Sequence, residues 1–170
     1  MQVRQPRQRV KAIVPARGPL SGRDADVLAR LRRHRSSLAD SLEQALTDLN
    51  DHTRLSYVGT AAEIREVMRA TVQLFAPDDE VRNQPWYEGI EQGRKRNPSQ
   101  AERIRYAVQQ RGGDKDQAKG IDEVVDQIVA KIGRHTYSRG SSAVHADAVQ
   151  ADVRKLTSWV FAILDEILPE

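Results

Sequence analysis

Apolar residues recur every three or four positions along most of the chain, the spacing that places side chains on one face of an α-helix. The first periodic stretch predicts a helix from Asp24 to about Asn50. Its apolar positions are Leu28, Leu31, Leu38, Leu42, Ala45 and Leu49. Arg35 stands where this ladder requires another apolar residue, so we expect the helix to project into solvent at that point.

Two further helices are predicted by their start signals. Thr60, with Glu63 three residues later, has the pattern of a capping box, and Pro77 ends the periodic stretch that follows it. The buried face of this helix consists of Ile64, Val67, Met68, Thr71, Val72 and Phe75. Ser99 and Glu102 repeat the box before a shorter helix, which buries Ile104 and Val108 and ends at Gly112 and Gly113.

The two longest apolar faces come last. A fourth helix is predicted from about Asp116 to Arg134, with Ile121, Val124, Val125, Ile128, Val129 and Ile132 as its stripe. The last helix carries Val149, Val153, Leu156, Val160, Ile163 and Ile167, and it is widened by Trp159 and Leu164. Because no stretch alternates as a strand does, we predict an all-α fold, an antiparallel helical bundle of four to five helices in a single domain over residues 23–170.

Two regions lack this period. Residues 1–22 are rich in Pro and Gly and predict an extended or disordered arm. Residues 77–98 predict a long loop insertion that includes Trp86 and Tyr87. A loop of this length is often functional, but our preferred interpretation is that Trp86 pins it to the body of the bundle.

Charge divides the chain into two parts. The net charge is +3, yet residues 1–35 carry ten Arg and Lys against two Asp, so that this part is +8 and the remainder −5. Such an arm can bind nucleic acid or an acidic patch on a partner, or it can be a solvated tail. The candidate nucleic-acid-binding residues are Arg4, Arg7, Arg9, Lys11, Arg17, Arg32 and Arg33.

Composition excludes several classes of protein. The chain has no cysteine, which excludes disulfides and thiolate metal sites, and no spacing of His with Asp or Glu has the pattern of a metal site. We therefore expect neither metal nor cofactor. No apolar run approaches the roughly 18 residues of a membrane span, so we also expect a soluble, cytoplasmic protein.

The segment from His135 to His145 concentrates the candidate chemistry. Arg139 and His145 lie near the start of the last helix, whose N-cap is either Ser142 or Asp147, and a helix N-terminus favours anions. An Arg binds phosphate oxygens, and a His exchanges a proton with a ribose hydroxyl, so the pair is suited to cleaving RNA without metal. In the structural alternative, both side chains only bond neighbouring backbone groups.

These residues resemble those of known families. An Arg, four to six residues and a His at the last helix of an all-helical chain is similar to the HEPN superfamily (higher eukaryote and prokaryote nucleotide-binding). A narrower resemblance, over roughly residues 50–168, is to bacterial defence proteins called predicted pPIWI-associating nucleases. The matching stretches are Arg54-Leu-Ser-Tyr-Val-Gly-Thr-Ala-Ala-Glu-Ile-Arg-Glu-Val, Phe75-Ala-Pro-Asp, and Thr136-Tyr-Ser-Arg with His145.

The resemblance implies a HEPN-like bundle and an endoribonuclease that acts as a homodimer in a phage-defence or toxin setting. Arg139 would hold the scissile phosphate and His145 would act as acid or base, with Tyr137 and Ser141 in support. Gly140 follows Arg139, where active HEPN ribonucleases usually place Asn, Asp or His. The alternative is therefore a non-catalytic helical subunit that docks onto a larger effector or onto nucleic acid.

Overall fold

The computed structural model describes residues 20–54, 56–92, 95–113 and 144–170. In these ranges the elements are α1 (Gly22–His34), α2 (Ser36–Leu49), α3 (Val58–Phe75), α4 (Asp78–Arg82), β1 (Ile90–Gln92), β2 (Lys95–Asn97), α5 (Gln100–Gln110) and α6 (Val144–Ile167). The predicted all-α bundle is confirmed. The basic arm up to residue 19 and the predicted helix over 116–134 lie outside the described residues.

Helix α3 is central to the core: it packs against α2, α6 and α5, and α1 packs against α2 and α6. The whole predicted seam of α6 is buried: Val149, Val153, Leu156, Val160, Ile163 and Ile167. The predicted face of α3 is also buried, except that Phe75 is half-buried at the end of the helix. Period alone therefore identified the buried faces correctly in both helices.

The prediction of one helix from Asp24 to Asn50 was wrong. The chain forms α1 and α2, separated at Arg35, where the backbone is extended with φ −153° and ψ 94°. Arg32 donates to Asp40 at 3.0 Å and to Glu43 at 2.8 Å, across the corner between the two helices. The interruption of the apolar spacing at Arg35 therefore marks the break between two helices. An apolar side chain at this position would pack against the core, and Arg35 does not supply one.

Of the two predicted capping boxes, one is confirmed and one was wrong. Ser99 Oγ accepts from the Glu102 N–H at 3.2 Å, and Glu102 Oε2 accepts from the Ser99 N–H at 2.7 Å. Helix α3 instead begins at Val58, with Tyr57 in the N-cap position and no side-chain cap. Thr60 therefore lies inside the first turn, where its side chain is buried with the apolar face.

The predicted loop over 77–98 is partly ordered into elements. It contains the single-turn helix α4 and an antiparallel hairpin, in which Glu91 lies opposite Arg96. Each strand has three residues, too few for a recognisable alternation. Trp86 is half-buried and packs against the core, so the interpretation that it pins this segment to the bundle is confirmed.

The helix directions bring particular ends together. Helices α2 and α3 are antiparallel: a turn joins them at one end, and at the other the ring of His34 contacts Phe75, with centroids 5.1 Å apart. Gln150, early in α6, bonds the last residue of α2. Helices α3 and α6 therefore begin at the same end of the bundle, beside the α2–α3 turn.

None of the helices in the described ranges combines the length and apolar character needed to cross a bilayer.

Candidate functional site

His145 belongs to the first turn of α6. The helix already includes Val144, so the later start with Asp147 as N-cap is excluded, while the alternative N-cap, Ser142, lies outside the described residues. Position 145 precedes the buried Val149 by one helical turn. By its spacing in the sequence, position 145 is therefore in register with the seam, at the N-terminal end of α6.

The neighbour of this end of α6 is the end of α2. Gln150 Nε2 donates to the Leu49 carbonyl at 2.8 Å, and Arg154 Nη2 donates to Asn50 Oδ1 at 3.2 Å. At 1.5 Å per residue, position 145 lies roughly 7.5 Å beyond Gln150 along the helix axis. That distance brings it to the level of the α2–α3 turn, residues 50–57.

The turn itself is held by its own hydrogen bonds. The Asp51 carboxylate accepts from the Thr53 N–H at 2.9 Å and from its hydroxyl at 2.6 Å, and these two bonds hold the pKa of Asp51 below its usual value. The buried Tyr57 donates to the Asp51 carbonyl at 2.9 Å. His52 is exposed at the tip. The described residues of the turn thus present one exposed imidazole, that of His52, at the end of the bundle where α6 begins.

Several residues that carry the family resemblance have structural contacts. Arg54 forms an ion pair with Asp48 and so ties the turn to the last helical turn of α2. Asp78 accepts from Arg103 Nη2 at 2.9 Å, which ties α4 to α5. These residues shape the bundle around the site and do not themselves supply its chemistry.

The other predicted site residues fall into two groups. Tyr137, Arg139 and Ser141 lie outside the described residues, as do the five basic residues of the arm, namely Arg4, Arg7, Arg9, Lys11 and Arg17. Arg32 is exposed and ion-paired with Asp40 and Glu43, whereas Arg33 is exposed. Their roles in binding stay predictions. Across the described ranges, no three acidic or histidine side chains are grouped so that they could hold a metal ion.

Two arginines with specific environments were not among the predicted site residues. Arg30 was counted with the cationic N-terminal part of the chain, but it is 3% exposed and bonds Asp165, 135 residues away. Arg105 lies over the ring of Trp86, 4.2 Å from its centroid. Charge count identified neither, because both environments depend on residues from other elements.

Comparisons with known proteins give one family. Residues 30–164 match the family model described as predicted pPIWI-associating nuclease. The matched range runs from α1 into the last turns of α6 and includes Arg139 and His145. A search of curated proteins and a search of solved structures found no match. Because the family model covers most of the chain, this protein belongs to the family of predicted pPIWI-associating nucleases.

Proposed function

We propose that this protein is a metal-independent endoribonuclease of the HEPN type. The observation that carries the proposal is the place of position 145. It lies in the first turn of α6, at the end of the bundle where α3 also begins, and within the range matched by a family of predicted nucleases. The free N–H groups of helix N-termini favour the phosphate of a nucleic acid at such a position.

The proposed reaction uses the ribose 2′-hydroxyl as nucleophile. The neutral imidazole of His145 accepts the 2′-hydroxyl proton while the 2′-oxygen attacks phosphorus. The bond from phosphorus to the 5′-oxygen breaks, and this oxygen leaves with a proton supplied by a protonated imidazole. The products are a 2′,3′-cyclic phosphate and a 5′-hydroxyl. Arg139 holds the phosphate oxygens as their charge increases, and Tyr137 and Ser141 orient the phosphate or the imidazole.

A homodimer would place two Arg139–His145 pairs at one cleft, so that one imidazole is the base and the other the acid. The exposed face of α6 supports this arrangement: Trp159 is 40% exposed. Leu164, which we had grouped with Trp159 as a widening of the seam, is buried within the chain. Trp159 is therefore the member of that pair available to a second copy.

The description of the family supports a proposed biological setting. We propose that the protein acts in the cytoplasm of a bacterium, in phage defence, together with the pPIWI protein that the family's description names as its associate. The basic residues of the arm would add phosphate contacts to the RNA. Under this proposal the larger effector is the pPIWI protein, which selects when or where the nuclease acts.

Cleavage of RNA in EDTA tests the proposal. We expect the wild-type chain to produce 2′,3′-cyclic phosphate ends without added metal, and His145→Ala to slow cleavage on the order of a hundred- to ten-thousand-fold. His52→Ala is the matched control, because His52 is an exposed imidazole at the same end of the bundle. It should leave the rate unchanged.

Cleavage that requires magnesium, or that survives His145→Ala, would contradict the proposal. The second candidate, a non-catalytic RNA-binding subunit, is favoured by Gly140 directly after Arg139. That candidate predicts RNA binding by the purified chain with no cleavage, either alone or after addition of the pPIWI partner.

A further inference from the structure

Arg105 on α5 is positioned by an aromatic ring. It lies 4.2 Å from the centroid of the Trp86 ring, and Trp86 is itself packed against the core. Among the described residues, Arg105 forms no ion pair, and its buried Nε has no hydrogen-bond partner. Arg103, two residues earlier, bonds Asp78 at 2.9 Å. These two arginines of α5 therefore differ. Arg103 is paired with a carboxylate of the fold, whereas Arg105 is positioned by an aromatic ring.

Several unsatisfied donors occur in the stretch of sequence that contains Arg105. Five buried side-chain polar atoms in the described part of the chain lack a hydrogen-bond partner. Four of them belong to the segment over residues 87–105, namely Tyr87 Oη, Gln100 Nε2, Arg103 Nε and Arg105 Nε. All four can donate a hydrogen bond, but because they are buried they are not themselves the atoms that meet a ligand.

The residues just before β1 are anchored on α5, close to Arg105 in sequence. The N–H groups of Glu88 and Gly89 donate to Glu102 Oε1 at 2.7 and 2.8 Å, so the base of the hairpin is held on α5 one turn before Arg105. Gly89 has φ +69°, and a Cβ there would lie 2.5 Å from Tyr87 Oη. A glycine is required at this position because the Tyr87 ring occupies the space of a side chain.

The hairpin carries more basic than acidic residues. Its sequence contains Arg94, Lys95 and Arg96, of which Arg96 is exposed and Arg94 lies outside the described residues. Of the carboxylates near α5, Glu102 accepts from the backbone and Asp78 is paired with Arg103, whereas Glu88, just before β1, is exposed. Glu91, opposite Arg96 on the other strand, offsets part of the charge. Basic side chains beside an aromatic ring are the usual composition of a surface for single-stranded nucleic acid.

We infer that Arg96 and Arg105, with Trp86 behind Arg105, bind the phosphate backbone of single-stranded RNA. We call these three residues the hairpin surface. It belongs to α5 and the hairpin, whereas position 145 belongs to the first turn of α6 beside the α2–α3 turn. The inference rests on the proposed function, since it names a second place where the RNA substrate is held.

Binding of a cleavage-resistant RNA tests this surface separately from catalysis. The probe is a fluorescein-labelled oligouridine with 2′-O-methyl sugars, which cannot form a cyclic phosphate, measured by anisotropy over a series of salt concentrations. Each phosphate contact contributes about 0.7 to the slope of log affinity against log salt for a single strand. We therefore expect the double variant Arg96→Gln with Arg105→Gln to lower the slope by about 1.4.

Matched variants separate charge, stacking and folding. Arg65→Gln with Arg69→Gln removes an equal charge from exposed positions of α3 and should leave the slope unchanged. Trp86→Leu keeps every charge but removes the ring that orients Arg105, so the affinity for the oligonucleotide should fall while the salt slope is retained. Trp86→Phe keeps an aromatic ring and should restore the affinity. Thermal melting checks that each variant folds. In a Trp159→Phe background, Trp86 is the remaining tryptophan, and its fluorescence should change on binding.

The outcomes distinguish this inference from the proposed function. The inference that the hairpin surface binds RNA is wrong if the double variant shows the same salt slope as the wild type. It is also wrong if the wild type does not bind the oligonucleotide at low salt. Both outcomes count even if the protein cleaves RNA. If the double variant binds RNA as the wild type does but no longer captures the pPIWI partner, the inference is also overturned. The hairpin surface would then be a contact for a protein. If no RNA is cleaved but the double variant loses slope, the hairpin surface stands and the nuclease proposal fails.

Discussion

The two ends of α6 use polar side chains in opposite ways. At its C-terminal end, Arg30 lies buried between α1 and α6 and donates to Asp26 at 2.8 Å and to the Leu168 carbonyl at 3.1 Å, as well as to the Asp165 carboxylate. Arg111, the residue directly after α5, adds a bond of 3.0 Å to the same carbonyl. This end is a structural lock in which cations satisfy the free carbonyls of the helix.

At its N-terminal end, the contacts of α6 with α2 are made to neutral acceptors. Gln150 bonds a carbonyl and Arg154 bonds an amide oxygen, and among the described residues no carboxylate is within ion-pair distance of Arg154. The charge of Arg154 is therefore not paired with a carboxylate of the described residues. The difference indicates that the buried charge of Arg30 stabilises the C-terminal end, whereas the exposed charge of Arg154 stays available for a ligand.

The largest effect on stability is expected at the C-terminal lock. Arg30→Ala removes a buried cation and leaves the Asp165 carboxylate and two backbone carbonyls with fewer donors, so unfolding free energy should fall by about 3–5 kcal/mol. The melting temperature should fall on the order of 10 °C. Arg23→Gln is the control: Arg23 bonds the same Asp165, but its side chain is 61% exposed, and its loss should cost under about 1 kcal/mol. If both variants lost the same unfolding free energy, the buried position of Arg30 would not be the reason that it stabilises this end of α6.

The lock should also respond to acid. Burial by itself raises the pKa of Asp165, but the hydrogen bonds and charges of Arg30 and Arg23 outweigh it, and the pKa of Asp165 lies below its usual value. Its contribution to stability is therefore present above an unfolded pKa near 3.8 and is lost as the pH falls through the lower folded pKa.

Urea unfolding between pH 3 and pH 7 measures this dependence. Asp165→Asn should cost about 2 kcal/mol at pH 7, because charge-assisted hydrogen bonds are lost. The gap between variant and wild type should narrow below about pH 4. A gap of constant size at all pH values would show that the carboxylate charge is not the stabilising feature of this end.

A smaller effect is expected where α6 meets α2. Gln150→Leu removes one hydrogen bond to the Leu49 carbonyl and should cost about 1 kcal/mol, with no dependence on pH between 3 and 7. Because Gln150 lies roughly 7.5 Å along the axis from position 145, the variant should also shift the first turn of α6 and lower the cleavage rate. Arg154→Gln, which keeps a donor at an exposed position, is the matched comparison. A stability loss without any change in rate would separate this contact from the site.

The smallest effect on stability is expected from the arm. Deletion of residues 1–19 removes Arg4, Arg7, Arg9, Lys11 and Arg17 and leaves Ser21, whose hydroxyl caps α1 at 3.1 Å, so the melting temperature should be unchanged. If the arm contacts RNA, affinity should weaken for all sequences alike and the salt slope should become shallower. An unchanged slope would assign the arm to a protein partner or to solubility.

Local patterns in the sequence predicted local structure. The α6 seam and the capping box of Ser99 and Glu102 follow from spacings of three and four residues, and both are confirmed. The start of α3 was missed because Thr60 has the spacing of a cap as well as the register of the buried face. That choice depends on what α3 packs against.

The sequence by itself determined the helical faces of this protein and the chemistry available at Arg139 and His145. Periodic burial and hydrogen-bonding types are properties of nearby residues. The tertiary structure alone decided which charged side chains are paired within the fold. Arg30 and Arg105 are equivalent in a count of charge, yet one is paired with Asp165 from α6 and the other lies over the ring of Trp86. The reason is distance along the chain: the partner of Arg30 is 135 residues away, so only packing of α1 against α6 creates the pair.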